Sequence, residues 1–251
     1  MIQTIWYKLC DRFFPNLINS NMKIKELRKK GVAIGKGTYF FNAGNITVDA
    51  SRPELLTIGE YCKITGGTII LTHDYSRSVL RRLYGDIVPE AKRTKIGNNI
   101  FIGMNSIILM GTEIGDNSIV GAGSVCRGVY PPNSVIAGNP ARVILSIDEF
   151  YQKRKQKSIE EAKELAIAHY ERFGKKPSIS DMGWFFPLYL ERSHEEILKH
   201  NLCINLSGDD SNDVLEKFLA SSPYFSSYDE FLKESFPITQ KQEQVKSQDG
   251  K

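Results

Sequence analysis

Aliphatic residues recur every six positions through the middle of the chain. A small residue follows most of them after four positions, and glycine often follows directly, as in Ile102-Gly103. A period of six fits neither an α-helix nor one alternating strand. It predicts very short strands joined by tight bends, with the aliphatic residue inward and glycine, asparagine or aspartate in the turns. The repeating positions are Ile96, Ile102, Ile108, Ile114, Val120 and Cys126, and the small ones are Ser106, Thr112, Ser118 and Ser124.

An earlier stretch carries the same template, with Arg52 interrupting its register without shifting it. Three six-residue sides predict a triangular coil, and stacked coils pair strand over strand at about 4.8 Å. The period is displaced across residues 71–95, a polar, basic and irregular segment that begins beside His73. The earlier inward positions are Ile34, Phe40, Ile46, Ile58, Ile64 and Ile70.

Helical patterns flank the repeat. Residues after Ile147 predict one or two helices that end at Gly174, and "NDVLEKFLASS" predicts another. The aromatic segment around Trp184 is expected to pack in a core, with a platform for a sugar or lipid-linked acceptor as the alternative. At the N-terminus, apolar residues stand at helical spacing: Ile2, Ile5, Trp6, Leu9 and Phe13. The expected domains are a helical segment over 1–30, a coil domain over 31–146 with a loop at 74–95, a helical extension over 147–237 and a disordered tail over 238–251.

Composition narrows the class of protein. The net charge of +4 over 251 residues is too weak to indicate nucleic acid, but it suits an anionic ligand at a local basic cluster. The four cysteines are scattered, which argues against a zinc site or a disulfide framework and favours a reducing compartment. We expect no metal, no transmembrane segment and no signal peptide, and therefore a cytoplasmic protein.

The stretch "IGNNIFIGMNSIILMGTEIGDNSIVGAGSVCRGVYPPNSVIAGNPARVI" resembles the hexapeptide-repeat acyltransferases. Within that family it is most similar to the galactoside and maltose O-acetyltransferases and their relatives in bacterial surface-polysaccharide pathways. The resemblance covers about residues 24–147. It implies a mainly β fold, a left-handed parallel β-helix with a protruding loop, and a homotrimer with active sites between subunits.

The resemblance also implies a catalytic histidine where a loop leaves the coil, which is the position of His73. A neutral imidazole suits the removal of a proton from a sugar hydroxyl that attacks a thioester. A second group has to hold this base in one tautomer. The adjacent Asp74 and the earlier Asp49 are candidates. Asn42, Asn45 and Asp49, near "YFFNAGN", are also candidates for contacts with the acceptor, and a polar turn ladder is the alternative.

The resemblance places acetyl-CoA along the later coils. Gly103 and Met104 would lie beside the thioester, and Gly121 and Ala122 would leave a flank without bulky side chains. The closing segment would receive the adenine end, with a cationic side chain near a nucleotide phosphate. The residues assigned to that end are Arg127, Pro132, Asn139, Pro140 and Arg142.

The sequence leaves the acceptor open. The loop over 74–95 carries six basic and three acidic residues, which suits a solvated loop or the attraction of an anionic acceptor or CoA. The leading expectation is an O-acetyltransferase acting on a sugar hydroxyl of a surface polysaccharide or its precursor. The alternatives are an N-acetyltransferase on an amino-sugar nucleotide and a non-catalytic β-helix scaffold.

Overall fold

The structure, a computed structural model, describes residues 15–237. The predicted apolar positions from Ile2 to Phe13 and the predicted tail over 238–251 lie outside the described residues. Within the described chain, contacts define two compact units. One contains the residues up to 151 together with Leu206–Asp209, and the other contains residues 152–205 together with those from 210 onward.

Fifteen short strands build the first unit within residues 15–237. They are β1 Ala33–Ile34, β2 Tyr39–Phe40, β3 Thr47–Val48, β4 Leu56–Ile58, β5 Lys63–Ile64, β6 Ile69–Ile70, β7 Thr94–Ile96, β8 Phe101–Ile102, β9 Ile107–Ile108, β10 Glu113–Ile114, β11 Ile119–Val120, β12 Val125–Cys126, β13 Val129–Tyr130, β14 Ser134–Gly138 and β15 Ala141–Ser146.

The helices lie before, within and after this series of strands. They are α1 Ser20–Lys29, α2 Arg77–Tyr84, α3 Ile147–Phe173, α4 His194–Lys199, α5 Ser211–Leu219 and α6 Tyr228–Ser235. Four 3₁₀ turns accompany them, at Pro15–Leu17, Ala43–Asn45, Pro53–Leu55 and Ser180–Leu188.

Every third strand pairs in parallel, which produces three sheets. The first sheet is β1-β4-β7-β10-β13, the second is β2-β5-β8-β11-β14-β15, and the third is β3-β6-β9-β12. Only β15 is antiparallel to its neighbour among the described pairs. The predicted stack of triangular coils is therefore confirmed, and its parallel sheets fit a left-handed β-helix of hexapeptide repeats.

Three corners join the sheets, and each corner recurs once per coil. The first corner, between the first and second sheets, contains residues 35–38, 59–62, 97–100, 115–118 and 131–133. The second corner, between the second and third sheets, contains residues 41–46, 65–68, 103–106 and 121–124. The third corner returns the chain to the first sheet and contains residues 49–55, 71–93, 109–112 and 127–128.

The repeating aliphatic residues form the core of this unit. All the inward positions named above, from Ile34 to Cys126, are buried. The small residues are buried at the corners, where their hydroxyls donate to backbone carbonyls. Ser106 Oγ, for example, lies 2.8 Å from the carbonyl oxygen of Gly103. Burial of the hydroxyl is tolerable because this hydrogen bond replaces the one to water.

The reason for glycine after the aliphatic residue differs from the predicted one. Among the described glycines, Gly103 and Gly115 are not in the left-handed region; instead, an added Cβ would lie 2.5 Å from Ala122 N and 2.4 Å from Pro132 N, respectively. Close stacking of successive coils therefore excludes a side chain there. Asparagines share the left-handed turn positions with other glycines, and along the first corner the Asn117 side chain accepts from Asn99 and donates to Asn133.

The register of the first coil also departs from the prediction. Val48, rather than Ile46, pairs with Ile70. The 3₁₀ turn Ala43–Asn45 lengthens the second corner by two residues and displaces β3. The longer third corner at 49–55, which contains Arg52, restores the phase before β4.

Helix α1 covers the edge of the first coil. An uncovered strand edge can pair with another chain, and the helix prevents this. Arg28 Nη2 donates to the carbonyl oxygen of Ile34 at 2.7 Å, and Lys23 Nζ donates to that of Ile46 at 2.8 Å. The amide of Phe40 donates to Ser20 Oγ at 3.0 Å.

The second unit is helical, as the sequence predicted. Helix α3 runs unbroken to Gly174, whose positive φ of 68° and amide bond to Tyr170 O end it. Phe186 and Tyr189 are buried in the core of this unit, and Phe185 packs partly buried against it. Trp184 is 57% exposed, so the core prediction is confirmed except at Trp184. Helices α4 and α6 were not predicted, although Ser193 and Ser227 cap them.

Candidate active site

The coil opens at the third corner, after β6. His73 forms an antiparallel bridge with Ala91, and the amide of Lys92 donates to Thr72 O at 3.0 Å. The inserted segment therefore leaves the coil and returns to it at neighbouring positions beside His73. Within the predicted protruding loop, residues 77–84 form α2, which ends at Gly85 in the left-handed region.

His73 faces a carboxylate from the preceding coil. Its Nδ1 lies 2.6 Å from Asp49 Oδ2, and both side chains are about nine-tenths buried, at 10% and 9% exposure. An ionised carboxylate only accepts hydrogen bonds, so Nδ1 carries the proton in the neutral ring. The other nitrogen, Nε2, is then an acceptor. It has no hydrogen-bond partner within residues 15–237 and is not among the buried unpaired atoms.

Four further donors converge on Asp49. Oδ2 accepts from the amide of Thr72 at 3.1 Å and from Thr72 Oγ1, while Oδ1 accepts from the amide and hydroxyl of Ser51 at 3.1 and 2.7 Å. Burial opposes ionisation of this carboxyl, but hydrogen bonds from Thr72, Ser51 and His73 outweigh it and hold the pKa of Asp49 well below its usual value of 3.8. The site therefore presents an ionised aspartate to the imidazole.

The other residues predicted to orient His73 or bind the acceptor lie elsewhere. Asp74 Oδ1 accepts from the amide and hydroxyl of Ser76 at 3.0 and 2.8 Å, in a local turn. Those bonds lower the pKa of Asp74. Asn42 and Asn45 are exposed at the second corner, and Asn42 occupies a left-handed turn position. Of these candidates, the structure brings Asp49 to His73.

The residues predicted to bind the coenzyme are distributed over different parts of the coil. Gly103, Met104, Gly121 and Ala122 lie at the second corner. Arg127 lies at the third corner, near the end of the coil, and Pro132 lies at the first. Asn139 and Pro140 form the turn between β14 and β15, and Arg142 lies exposed on β15. Within one chain, these predicted coenzyme-binding residues do not lie together around His73.

At the second corner, one backbone amide is available to bind an extended ligand. The amides of Gly121 and Gly123 already donate to Ile136 O and Met104 O, both at 2.8 Å. Ala122 lies exposed between them, and its amide has no such bond in the described chain. Gly103 is buried under Ala122, so close stacking of the coils explains this glycine without the thioester that the resemblance places beside it.

Sequence reasoning missed Ser51 and Thr72. The sequence Asp49-x-Ser51 is an Asx-type turn signature, and it could have indicated that Asp49 is held by local donors. Thr72 has no such signature, because its hydroxyl meets Asp49 only after the coils stack.

Two properties bear on the class of site. Within residues 15–237, no group of three or more His, Cys, Asp or Glu side chains could hold a metal ion. No helix in the same part of the chain is both long and apolar enough to cross a membrane.

Comparison with known proteins identifies the repeat. Residues 93–128 match the family model "Bacterial transferase hexapeptide (six repeats)". Protein CapG of Staphylococcus aureus is 40% identical over 142 residues, which are 57% of this chain and 81% of CapG. WbbJ of Escherichia coli K12, provisionally named a lipopolysaccharide biosynthesis O-acetyl transferase, is 35% identical over 122 residues, or 45% of this chain and 62% of WbbJ.

Solved structures share the repeat as well. One is the hexapeptide-repeat-containing acetyltransferase VCA0836 from Vibrio cholerae in complex with acetyl coenzyme A. It is 24% identical, covers 58% of this chain and 85% of its own, and has a TM-score of 0.43. Because the similarity to CapG spans four-fifths of that relative, this chain belongs to the bacterial hexapeptide-repeat transferase family and is an acyltransferase.

Proposed function

We propose that this protein transfers an acetyl group from acetyl-CoA to a sugar hydroxyl of a bacterial surface polysaccharide or its precursor. The observation that carries the proposal is the 2.6 Å contact between Asp49 Oδ2 and His73 Nδ1 at the opening of the coil. Similarity to WbbJ, whose name refers to lipopolysaccharide biosynthesis, supports a surface polysaccharide as the acceptor class.

In the proposed reaction, His73 acts as the general base. Nε2 takes the proton of the acceptor hydroxyl while the oxygen attacks the thioester carbonyl directly. The tetrahedral intermediate collapses, the C–S bond breaks, and the CoA thiolate receives the proton from His73. Asp49 stays ionised throughout and stabilises the imidazolium that forms, as a buried carboxylate beside a catalytic histidine does.

The proposed assembly is a homotrimer of left-handed coils, with sites between subunits. His73 follows β6 and Ala122 precedes β12, so the two lie at opposite ends of the third sheet. One strand of the third sheet separates the second corner from the third, so the two residues lie at different corners of the coil. The thioester has to contact both His73 and the Ala122 flank. In the proposed trimer, a second copy therefore places its second corner beside the His73 of the first copy. The exposure of Met104, 57%, supports a contact there.

The coenzyme would run from the Ala122 flank towards the closing hairpin, where Arg127 and Arg142 offer exposed guanidinium groups to its phosphates. Asn42 and Asn45 stay candidates for acceptor contacts contributed at such an interface. We also propose a cytoplasmic location, where acetyl-CoA is available.

A CoA-release assay with purified protein, acetyl-CoA and a panel of methyl glycosides and amino sugars tests the proposal. Acetylation of a glycoside hydroxyl by the wild type, its loss in His73→Ala and its retention in His194→Ala are expected, since His194 is exposed on α4. Full activity in His73→Ala would contradict the general base. Acetylation of amino groups alone would establish the N-acetyltransferase alternative instead.

A further inference from the structure

An aromatic side chain stands beside the base with no role in the core. The ring of Tyr75 lies 5.1 Å from the ring of His73 between centroids, at an interplanar angle of 63°. Tyr75 is nevertheless 68% exposed. A single exposed tyrosine needs no explanation by itself, but the ring of this one contacts the ring of His73.

The backbone around Tyr75 holds the ring in place. Asp74 accepts from the amide and hydroxyl of Ser76, so Tyr75 is the central residue of a closed Asx turn. On the other side, the amide of Ser78 donates to Tyr75 O at 3.0 Å, at the start of α2. A ring on a fixed backbone loses less conformational entropy when a ligand binds.

Arg77 completes the arrangement. Its guanidinium carbon lies 4.6 Å from the Tyr75 ring centroid, and its Nη1 donates to Asp74 O at 2.9 Å. A guanidinium has five N–H donors, and only one is engaged in the described contacts. The guanidinium lies over one face of the Tyr75 ring, and the rest of this exposed ring suits a ligand that is apolar on one side and rich in oxygen around its rim.

We propose that Tyr75 and Arg77 form the platform for the acceptor pyranose, an inference that rests on the proposed function. The C–H groups on one face of a pyranose would pack on the Tyr75 ring at about 4 Å, the usual contact distance between carbon atoms. A hydroxyl on the rim of the sugar then reaches His73 Nε2, and Arg77 donates to a neighbouring sugar oxygen. The same ligand could not pack on His73 itself, because that side chain is only 10% exposed.

The platform recognises the sugar ring rather than its charge. The insertion over 74–95 carries six basic and three acidic side chains, but the proposed contact with Tyr75 is made by the apolar face of the sugar ring and not by a charged group. We therefore expect neutral and carboxylated sugars to depend equally on Tyr75.

The test compares Tyr75→Ala with Tyr84→Ala, since Tyr84 is 76% exposed on the same insertion but contacts no part of the dyad among the described residues. With a reactive methyl glycoside, Tyr75→Ala is expected to raise the acceptor KM about tenfold, as loss of an aromatic stacking contact does. Tyr75→Phe and Tyr84→Ala are expected to keep the wild-type acceptor KM. The KM for acetyl-CoA should stay unchanged in all three.

Arg77→Ala is compared with Arg82→Ala in the same assay, and only Arg77→Ala is expected to raise the KM for the acceptor. Equal effects of Tyr75→Ala and Tyr84→Ala, or an unchanged acceptor KM in Tyr75→Ala, would overturn the platform while leaving acetyl transfer intact. A wild type that binds CoA but acetylates no sugar would overturn the proposed function instead. Saturation-transfer NMR with the same glycoside gives a readout that needs no turnover, and loss of the signal in Tyr75→Ala alone supports the platform.

Discussion

Asp49 Oδ2 lies 2.6 Å from His73 Nδ1, across two successive coils. The contact fixes the tautomer of the ring and, in the proposed reaction, leaves Nε2 for the acceptor hydroxyl. Asp49→Asn is expected to lower kcat about a hundredfold, within the range of a general-base contribution, because an amide can donate to Nδ1 and favour the wrong tautomer. The KM for acetyl-CoA should not change. Steady-state kinetics with both substrates varied measure this, and an unaltered kcat would rule out the dyad.

Thr72 donates to Asp49, so we expect it to act on catalysis through Asp49 as a positioning residue. Thr72→Val removes the hydroxyl donor to Oδ2 and should lower kcat about tenfold, the usual cost of a lost hydrogen bond to a charged group. Thr72→Ser keeps the hydroxyl and is the matched control. The prediction fails if serine does not restore kcat, since only packing of the methyl group would then matter.

The stability of the fold should depend on pH through Asp49. Its pKa is lowered on folding, so the stability that it contributes is complete above its usual value of 3.8 and is lost as the pH falls further. The difference in unfolding temperature between wild type and Asp49→Asn should shrink as the pH is lowered from about 5 to about 3. Thermal unfolding across that range checks it, and a difference that grows on acidification would reverse the sign.

Gly103 tests the stacking of the coils. Gly103→Ala places a Cβ 2.5 Å from the backbone nitrogen of Ala122, so a backbone has to move, and about 2–3 kcal/mol of unfolding free energy should be lost. At Gly121 the nearest atom is the Cβ of Ala137, at 3.1 Å, and Gly121→Ala is expected to cost less than half as much. Chemical denaturation of the two variants measures the difference, and equal losses would argue against backbone stacking as the cause.

Cysteine reactivity should follow burial. Burial raises the pKa of the Cys126 thiol to about 11, and it also raises the pKa of Cys62, so neither forms much thiolate at pH 8. Cys203 is exposed. Iodoacetamide at pH 8 is therefore expected to label Cys203 in the native protein, and Cys62 and Cys126 only after unfolding. Peptide mass spectrometry identifies the labelled sites, and rapid native labelling of Cys126 would contradict its buried position.

The sequence by itself determined the coil, its buried positions and the break at His73. These follow from a period of six, and each repeat is a local pattern whose neighbours bury its apolar face. The local nature of the pattern also explains which predictions of the secondary structure and register were wrong. The 3₁₀ turn Ala43–Asn45 displaced β3 against the expected register, and α2 formed where the period alone gave no indication of a helix.

Only the tertiary structure decided which groups meet. Asp49 and His73 are 24 residues apart, and the irregular first coil sets their register, so spacing along the chain could not select Asp49 over Asp74. The same holds for Thr72 and for the distribution of the coenzyme candidates over three corners. Contacts between stacked coils depend on how many residues each corner contains, and that number is set by the turns that fold there rather than by the repeat.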